Sequence, residues 1–103
     1  MRVDVIGQNF EVTDAIRTYA ETKAGKLTKY FDGLQSVRVR VSKLNHKADS
    51  GYDVELILDV EKHEDFVSHA QCRDPYEGID LVCEKGERQL RDFKQQLKDN
   101  KHA

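Results

Sequence analysis

Tryptophan is absent, proline and methionine occur once each, and there are only two cysteines. So little cysteine excludes a disulfide framework, and Cys72 and Cys83 are expected as reduced thiols. No apolar run approaches the roughly 20 residues that a membrane span needs. The N-terminal MRVDVIGQNF has charges inside its apolar stretch and no small-residue cleavage pattern, which excludes a secretion signal. The expectation is a soluble chain with no membrane partner and, by default, a cytoplasmic location. Also missing are a Gly-rich phosphate loop and a Ser or Cys nucleophile motif. Without a convergent reactive set, no catalytic residue, cofactor or small-molecule substrate is expected.

What the chain has is charge, sorted by position. The 103 residues fit one domain, 1–103, and carry a net charge of only −2. From Asp49 to Phe66 there are seven acids and one Lys, net −6, whereas Arg17 to Phe31 has four bases and one acid, net +3. Lys85 to Lys101 has six bases and three acids, again net +3. An acidic protein can therefore present a locally positive field.

The elements follow from periodicity. Arg2 to Gly7 alternates as a strand, and Gly7-Gln8-Asn9 turns the chain. Thr13 is a good N-cap, and a helix over about 14–31 puts Ile16, Tyr19, Ala20, Leu27, Tyr30 and Phe31 on one face. Lys23 falls at the middle of that stripe, so it must snorkel or sit where the sheet beneath ends. In the strand over 36–43, Val37, Val39 and Val41 face in, with Arg38 and Arg40 outward. A polar loop containing His46 and Lys47 leads to a strand over 52–61. There Val54, Leu56, Leu58 and Val60 face in, and Asp53, Glu55, Asp59 and Glu61 face out. A turn at Lys62–Asp65 and a weaker strand over 66–73 follow. The long helix over 74–98 puts Tyr76, Ile79, Val82, Cys83, Gly86, Leu90, Phe93 and Leu97 on its core face, and 98–103 is expected to be a frayed tail. The order is β-α-β-β-β-α. A three-strand meander with a parallel first strand gives a four-stranded mixed sheet, one face wet and both helices on the other. This is an α+β two-layer sandwich.

Few residues offer chemistry. Asp53, Glu55, Asp59 and Glu61 lie on an open sheet face beside Arg38 and Arg40, which suits cross-strand ion pairing. His69 and Cys72 are three apart on a strand and so face opposite ways, and His46 and His63 lie in separate loops, so no metal site is expected. The long helix carries Lys85, Arg88, Arg91, Lys94 and Lys98. Glu84–Arg88 and Glu87–Arg91 are favourable i,i+4 pairs, so a solvated helix face is the plain reading of those bases. Against it stand Lys23, Lys26 and Lys29 as a second row, on the same side of the sheet, with the acids concentrated opposite. Such a surface suits folded or duplex RNA, which is read through phosphate and 2′-OH contacts.

The chain resembles the ribosome hibernation-promoting factor and ribosome-associated inhibitor (protein Y) family over essentially its whole length. The residues that carry the resemblance are Gly7-Gln8-Asn9 followed by Glu11-Val12-Thr13, then Lys23 and Lys26-Leu27 ahead of Tyr30-Phe31-Asp32. They continue with Asp74-Pro75-Tyr76, Ile79-Asp80, Lys85, Arg88-Gln89-Leu90 and Lys94. The resemblance implies a fold similar to a double-stranded RNA-binding domain and binding to the small ribosomal subunit in the mRNA/tRNA channel at the A and P sites. Idle ribosomes are thereby held inactive. It implies Lys23, Lys26, Lys85, Arg88, Lys94 and Lys98 as the residues facing ribosomal RNA; Lys29 and Arg91 join them by position in the same rows. It also implies a protein that is monomeric off the ribosome. Two departures from the family pattern are Pro75 and Gly86, where apolar residues are usual; Gly86 costs roughly 1 kcal/mol of helix propensity against Ala. The chain stops at Ala103, which resembles the short branch without the additional C-terminal domain of long members. Two other readings are a general structured-RNA-binding module and a protein-interaction domain using the acidic sheet face.

Overall fold

The computed structural model describes residues 1–44 and 51–100. Its element order is β1 (Arg2–Gln8), α1 (Asp14–Gly25), a 3₁₀ helix (Lys26–Tyr30), β2 (Leu34–Lys43), β3 (Tyr52–Val60), β4 (Phe66–Cys72) and α2 (Pro75–Asn100). The expected polar loop with His46 and Lys47 lies outside the described residues.

Alternation in the strands dictates the sheet. Val37, Val39, Val41, Val54, Leu56 and Leu58 are all essentially fully buried, and each sits one residue away from a polar neighbour. A single-residue slip would turn these side chains to water, so the register is strongly specified. The strands lie in the order β1-β2-β3-β4, with β1 parallel to β2 and the other pairs antiparallel. Val39 pairs with Leu56 and Val5 with Val39. Asn9 makes the turn after β1 in the left-handed region, φ 54°, which Asn tolerates better than most residues.

Both helices cover the valine face, α1 against β1 and α2 against β3 and β4. The two-layer α+β sandwich is thus as expected. The core runs from Val5 and Ile16 through Ala20, Ala24 and Leu27 to Ile79, Val82 and Leu90. Its far end is closed by aromatic rings. Phe93 meets Phe31 at 5.2 Å and Phe66 at 5.4 Å, and His63 stacks on Phe66 at 4.6 Å. Past Phe93 the long helix outruns the sheet, and Leu97, expected on its apolar face, is 39% exposed.

The first helix differs from the expectation of one continuous helix to Phe31. It ends at Gly25 and continues as a 3₁₀ helix. Gly25 has poor helix propensity, and the Thr28 hydroxyl donates to the Gly25 carbonyl at 3.1 Å, supporting the tighter turn. The change of winding also shifts the stripe: Ala20 and Ala24 form the buried face of α1, and Lys23 sits at its margin.

Gly86 is explained by packing. A Cβ at this position would lie 2.6 Å from Leu56 Cδ2 and 3.3 Å from Leu58 Cδ1. Gly78 is tighter still, with Cys72 Sγ and Val54 Cγ2 both at 2.5 Å from such a Cβ. The two glycines let α2 lie close on β3, which outweighs their helix propensity.

Candidate nucleic-acid interface

The amines of the first helical segment are set by its two ends. Thr13 caps α1, its hydroxyl accepting from the Ile16 N–H at 3.2 Å, and Asp14 complements the dipole in the first turn. Lys23 then falls in the last turn, at the junction with α2. Lys26 and Lys29 lie on the 3₁₀ helix, where residues three apart eclipse. The three-residue spacing therefore keeps both amines on one side. Lys23, Lys26 and Lys29 together line one wall of a cleft of about 230 Å³ between this segment and α2.

The facing wall is not basic. It is formed by Asp80, Cys83, Glu84 and Glu87 of α2. Tyr19 donates its hydroxyl to Asp80 Oδ1 at 2.7 Å, and Lys23 Nζ lies 3.4 Å from the same oxygen. The Lys23 amine also lies 5.6 Å from the centre of the Tyr19 ring. The hydrogen bond and charge of Asp80 hold the Lys23 pKa above its ordinary value, and the Asp80 hydrogen bond raises that of Tyr19. One step along, hydrogen bonding to Tyr30 pulls Glu87 down, helped by the Arg91 charge. Lys29 lies 5.4 Å over the Tyr30 ring. Cys83 sits at the base of the cleft, and burial pushes its thiol up to about 11.

The five bases of α2 do not form a straight row. Each three-residue step on an α-helix falls short of a full turn by about 60°. From Lys85 to Lys94 the bases therefore wind about halfway round the helix. Lys85 is on the β4 side, where its amine donates to the His69 carbonyl at 2.6 Å. Arg88 follows on the outer crest, exposed. Arg91 is on the α1 side and pairs with Glu87 at 3.4 Å. Lys94 and Lys98 are exposed on the overhanging end of α2. Of the two expected i,i+4 pairs, Glu87–Arg91 forms, while Glu84–Arg88 is not among the ion pairs of the described residues. Among those residues Lys26, Lys29, Arg88, Lys94 and Lys98 have no ion-pair partner, whereas Lys23, Lys85 and Arg91 are engaged within the protein.

Sequence reasoning missed Asp80, Glu87 and Tyr30 as members of this cleft, and Tyr19 as the partner of Asp80. The signal available was the spacing of Asp80, Glu84 and Glu87, which places an acidic stripe beside the apolar one.

The opposite face of the sheet carries ion pairs. Arg40 pairs with Glu55 across β2 and β3. His69 bridges the acids, with Nε2 3.1 Å from Glu55 and Nδ1 3.5 Å from Asp53. Ser36 reaches Asp59 at 3.5 Å. Cys72 faces inward, its thiol 3.7 Å from the Tyr52 carbonyl, away from His69. Among the described residues no helix is long and apolar enough to cross a membrane.

This geometry has relatives. Residues 3–98 match the family described as Sigma 54 modulation protein / S30EA ribosomal protein. A ribosome hibernation promoting factor of Azotobacter vinelandii is 39% identical over 92 residues, covering 87% of this chain and 79% of that protein. The ribosome hibernation promotion factor of Lactococcus lactis subsp. cremoris (strain MG1363) is 38% identical over 97 residues, 94% of this chain. The chain spans about half the length of that relative, 51%. In three dimensions the chain is similar to the N-terminal domain of protein Y from Thermus thermophilus, with TM-score 0.78 and 30% identity. That match covers 90% of this chain and 99% of the other. With the family match running over nearly every described element, the chain belongs to the Sigma 54 modulation protein / S30EA ribosomal protein family.

Proposed function

We propose that this chain is a non-catalytic ribosome hibernation factor. It binds the small ribosomal subunit in the mRNA/tRNA channel, at the A and P sites, and so blocks translation by occupancy. The contacts are Lys23, Lys26 and Lys29 from the first helical segment and Lys85, Arg88, Arg91, Lys94 and Lys98 from α2.

One observation carries this reading. On the two helical segments Lys26, Lys29, Arg88, Lys94 and Lys98 are exposed bases without an ion-pair partner among the described residues, while on the opposite sheet face Glu55 is paired by Arg40 and both Glu55 and Asp53 are contacted by the His69 ring. Five such bases clustered on the helical side make a locally positive field, which is the arrangement that orients a protein on a polyanion. The same observation weighs against Glu55 as the centre of a docking surface for a basic partner, because Arg40 already pairs it. The family relatives named for ribosome hibernation supply the ligand class.

The mechanism needs no covalent step. Each base placed on a phosphate releases condensed counterions, so affinity falls with salt. Eight bases on phosphates correspond to a slope of about −6 to −7 in log K against log salt. Co-sedimentation with purified small subunits at two salt concentrations reads this slope. A Lys23→Glu, Arg88→Glu, Lys94→Glu variant is expected to lose co-sedimentation while keeping a cooperative melt. Unchanged binding in that variant sinks the assignment of these bases. Equal binding to free duplex RNA points instead to a general structured-RNA module.

A further inference from the structure

Asp80 stands in the wrong place for a simple basic surface. It lines the same cleft as Lys23, Lys26 and Lys29, and a carboxylate there repels phosphate. It is nevertheless held by two partners. Its Oδ1 accepts from the Tyr19 hydroxyl at 2.7 Å and lies 3.4 Å from Lys23 Nζ. Tyr19 is held in turn, its ring packed edge-on against Tyr76 of α2 at 5.1 Å and 83°. The carboxylate is thus fixed by a phenol that is itself fixed by both helices.

We infer that Asp80 is a positioning residue for RNA binding, holding the Lys23 amine at the mouth of the cleft between the helices. The inference rests on the proposed ribosome-binding role. A free lysine side chain must be ordered when it meets a phosphate, and that ordering weakens binding. An ammonium has three donors. One engages Asp80, which leaves two for a ligand. The Tyr19 ring beneath the amine restricts it further.

Two helical turns along α2 a second group of side chains sits in the same cleft, where Glu87 pairs with Arg91 at 3.4 Å and Lys29 lies over the Tyr30 ring. Glu84, between them, lines the same cleft but forms no ion pair among the described residues. The acids of this wall therefore differ in role although they share a sign. Asp80 holds an amine, and Glu84 contributes only repulsion.

That difference gives a test in which charge and positioning predict opposite signs. Small-subunit affinity is measured for the wild type, Asp80→Asn, Glu84→Gln and Lys23→Met, and for Asp80→Asn combined with Lys23→Met. Asn is isosteric and can still accept from Tyr19, so the fold is expected to persist, as a thermal melt will check. Asp80→Asn is expected to weaken binding by about twofold to tenfold, the cost of ordering one long side chain, although it removes a negative charge. Glu84→Gln is expected to bind as well as the wild type or better. In the Lys23→Met background, Asp80→Asn is expected to cause no further loss. NMR titration gives a readout independent of binding: the Lys23 amine, raised in the wild type, should titrate lower in Asp80→Asn. Tighter or unchanged binding by Asp80→Asn overturns the inference while leaving the ribosome-binding reading intact. A wild type that does not bind small subunits overturns both.

Discussion

Replacing Gly78 with alanine tests how closely α2 lies on the sheet. Gly78 is buried near the start of α2, its N–H donating to the Asp74 carbonyl at 3.1 Å. In a helix, Ala is favoured over Gly by up to about 1 kcal/mol, so propensity alone predicts stabilisation. Packing predicts the reverse. The added methyl would sit 2.5 Å from both Cys72 Sγ and Val54 Cγ2, and 3.2 Å from Val54 Cβ. Val54 is β-branched and fully buried, so it has little rotamer freedom with which to yield. Overpacking of this kind costs about 1–3 kcal/mol. With two such contacts the upper part of that range applies, and the net loss is about 1–2 kcal/mol. For a chain of this size each kcal/mol lowers Tm by about 4–8 °C. Gly86→Ala is the internal control. Its hard contact, 2.6 Å, is with Leu56 Cδ2, the end of a flexible side chain. Propensity and strain should there nearly cancel, leaving stability within about 1 kcal/mol of wild type. Urea unfolding followed by circular dichroism measures both variants. A Gly78→Ala protein as stable as wild type, or Gly86→Ala the worse of the two, would refute the close approach.

Thr13→Ala removes the α1 N-cap and should cost about 1 kcal/mol in the same urea assay; an unchanged midpoint would mean that the 3.2 Å hydroxyl bond to Ile16 does not hold in solution. Burial pushes the Cys83 thiol from its ordinary 9.0 to about 11. The folded state therefore keeps a proton that the unfolded chain loses: this contribution is complete below pH 9 and fades as pH rises toward 11. The loss is about 2–3 kcal/mol; it should be largely absent in Cys83→Ala, and an equal alkaline loss in that variant would contradict it.

Much of the fold was legible because β2 and β3 alternate over their whole length, and one-faced burial leaves a strand only one acceptable register. The meander and the parallel first strand followed from connection lengths. The end of α1 was not legible. Gly25 alone is tolerated in a helix, and the 3₁₀ winding after it depends on a local Thr28 bond. That winding is also why Lys23 looked central in a stripe that Ala20 and Ala24 in fact occupy. The bases of α2 were read as a row, although three-residue steps imply a drift about the helix that carries Lys85 to the β4 edge. In the sequence Asp80 stands out only as part of the Ile79-Asp80 motif. Its partner Tyr19 lies 61 residues away in the chain, and no local pattern connects them. The acids of β3 were read correctly as an ion-paired face for Arg40, but the part played by His69 needed the strand register.

Competition on the ribosome tests the proposed mode of action most directly. Small subunits saturated with the protein are sedimented before and after loading with mRNA and tRNA, and in the reverse order of addition. Occupancy of the channel predicts mutual exclusion: loaded subunits reject the protein, and bound protein blocks tRNA loading. Co-sedimentation of the protein with subunits that retain full mRNA and tRNA would place it elsewhere and contradict the proposed mechanism.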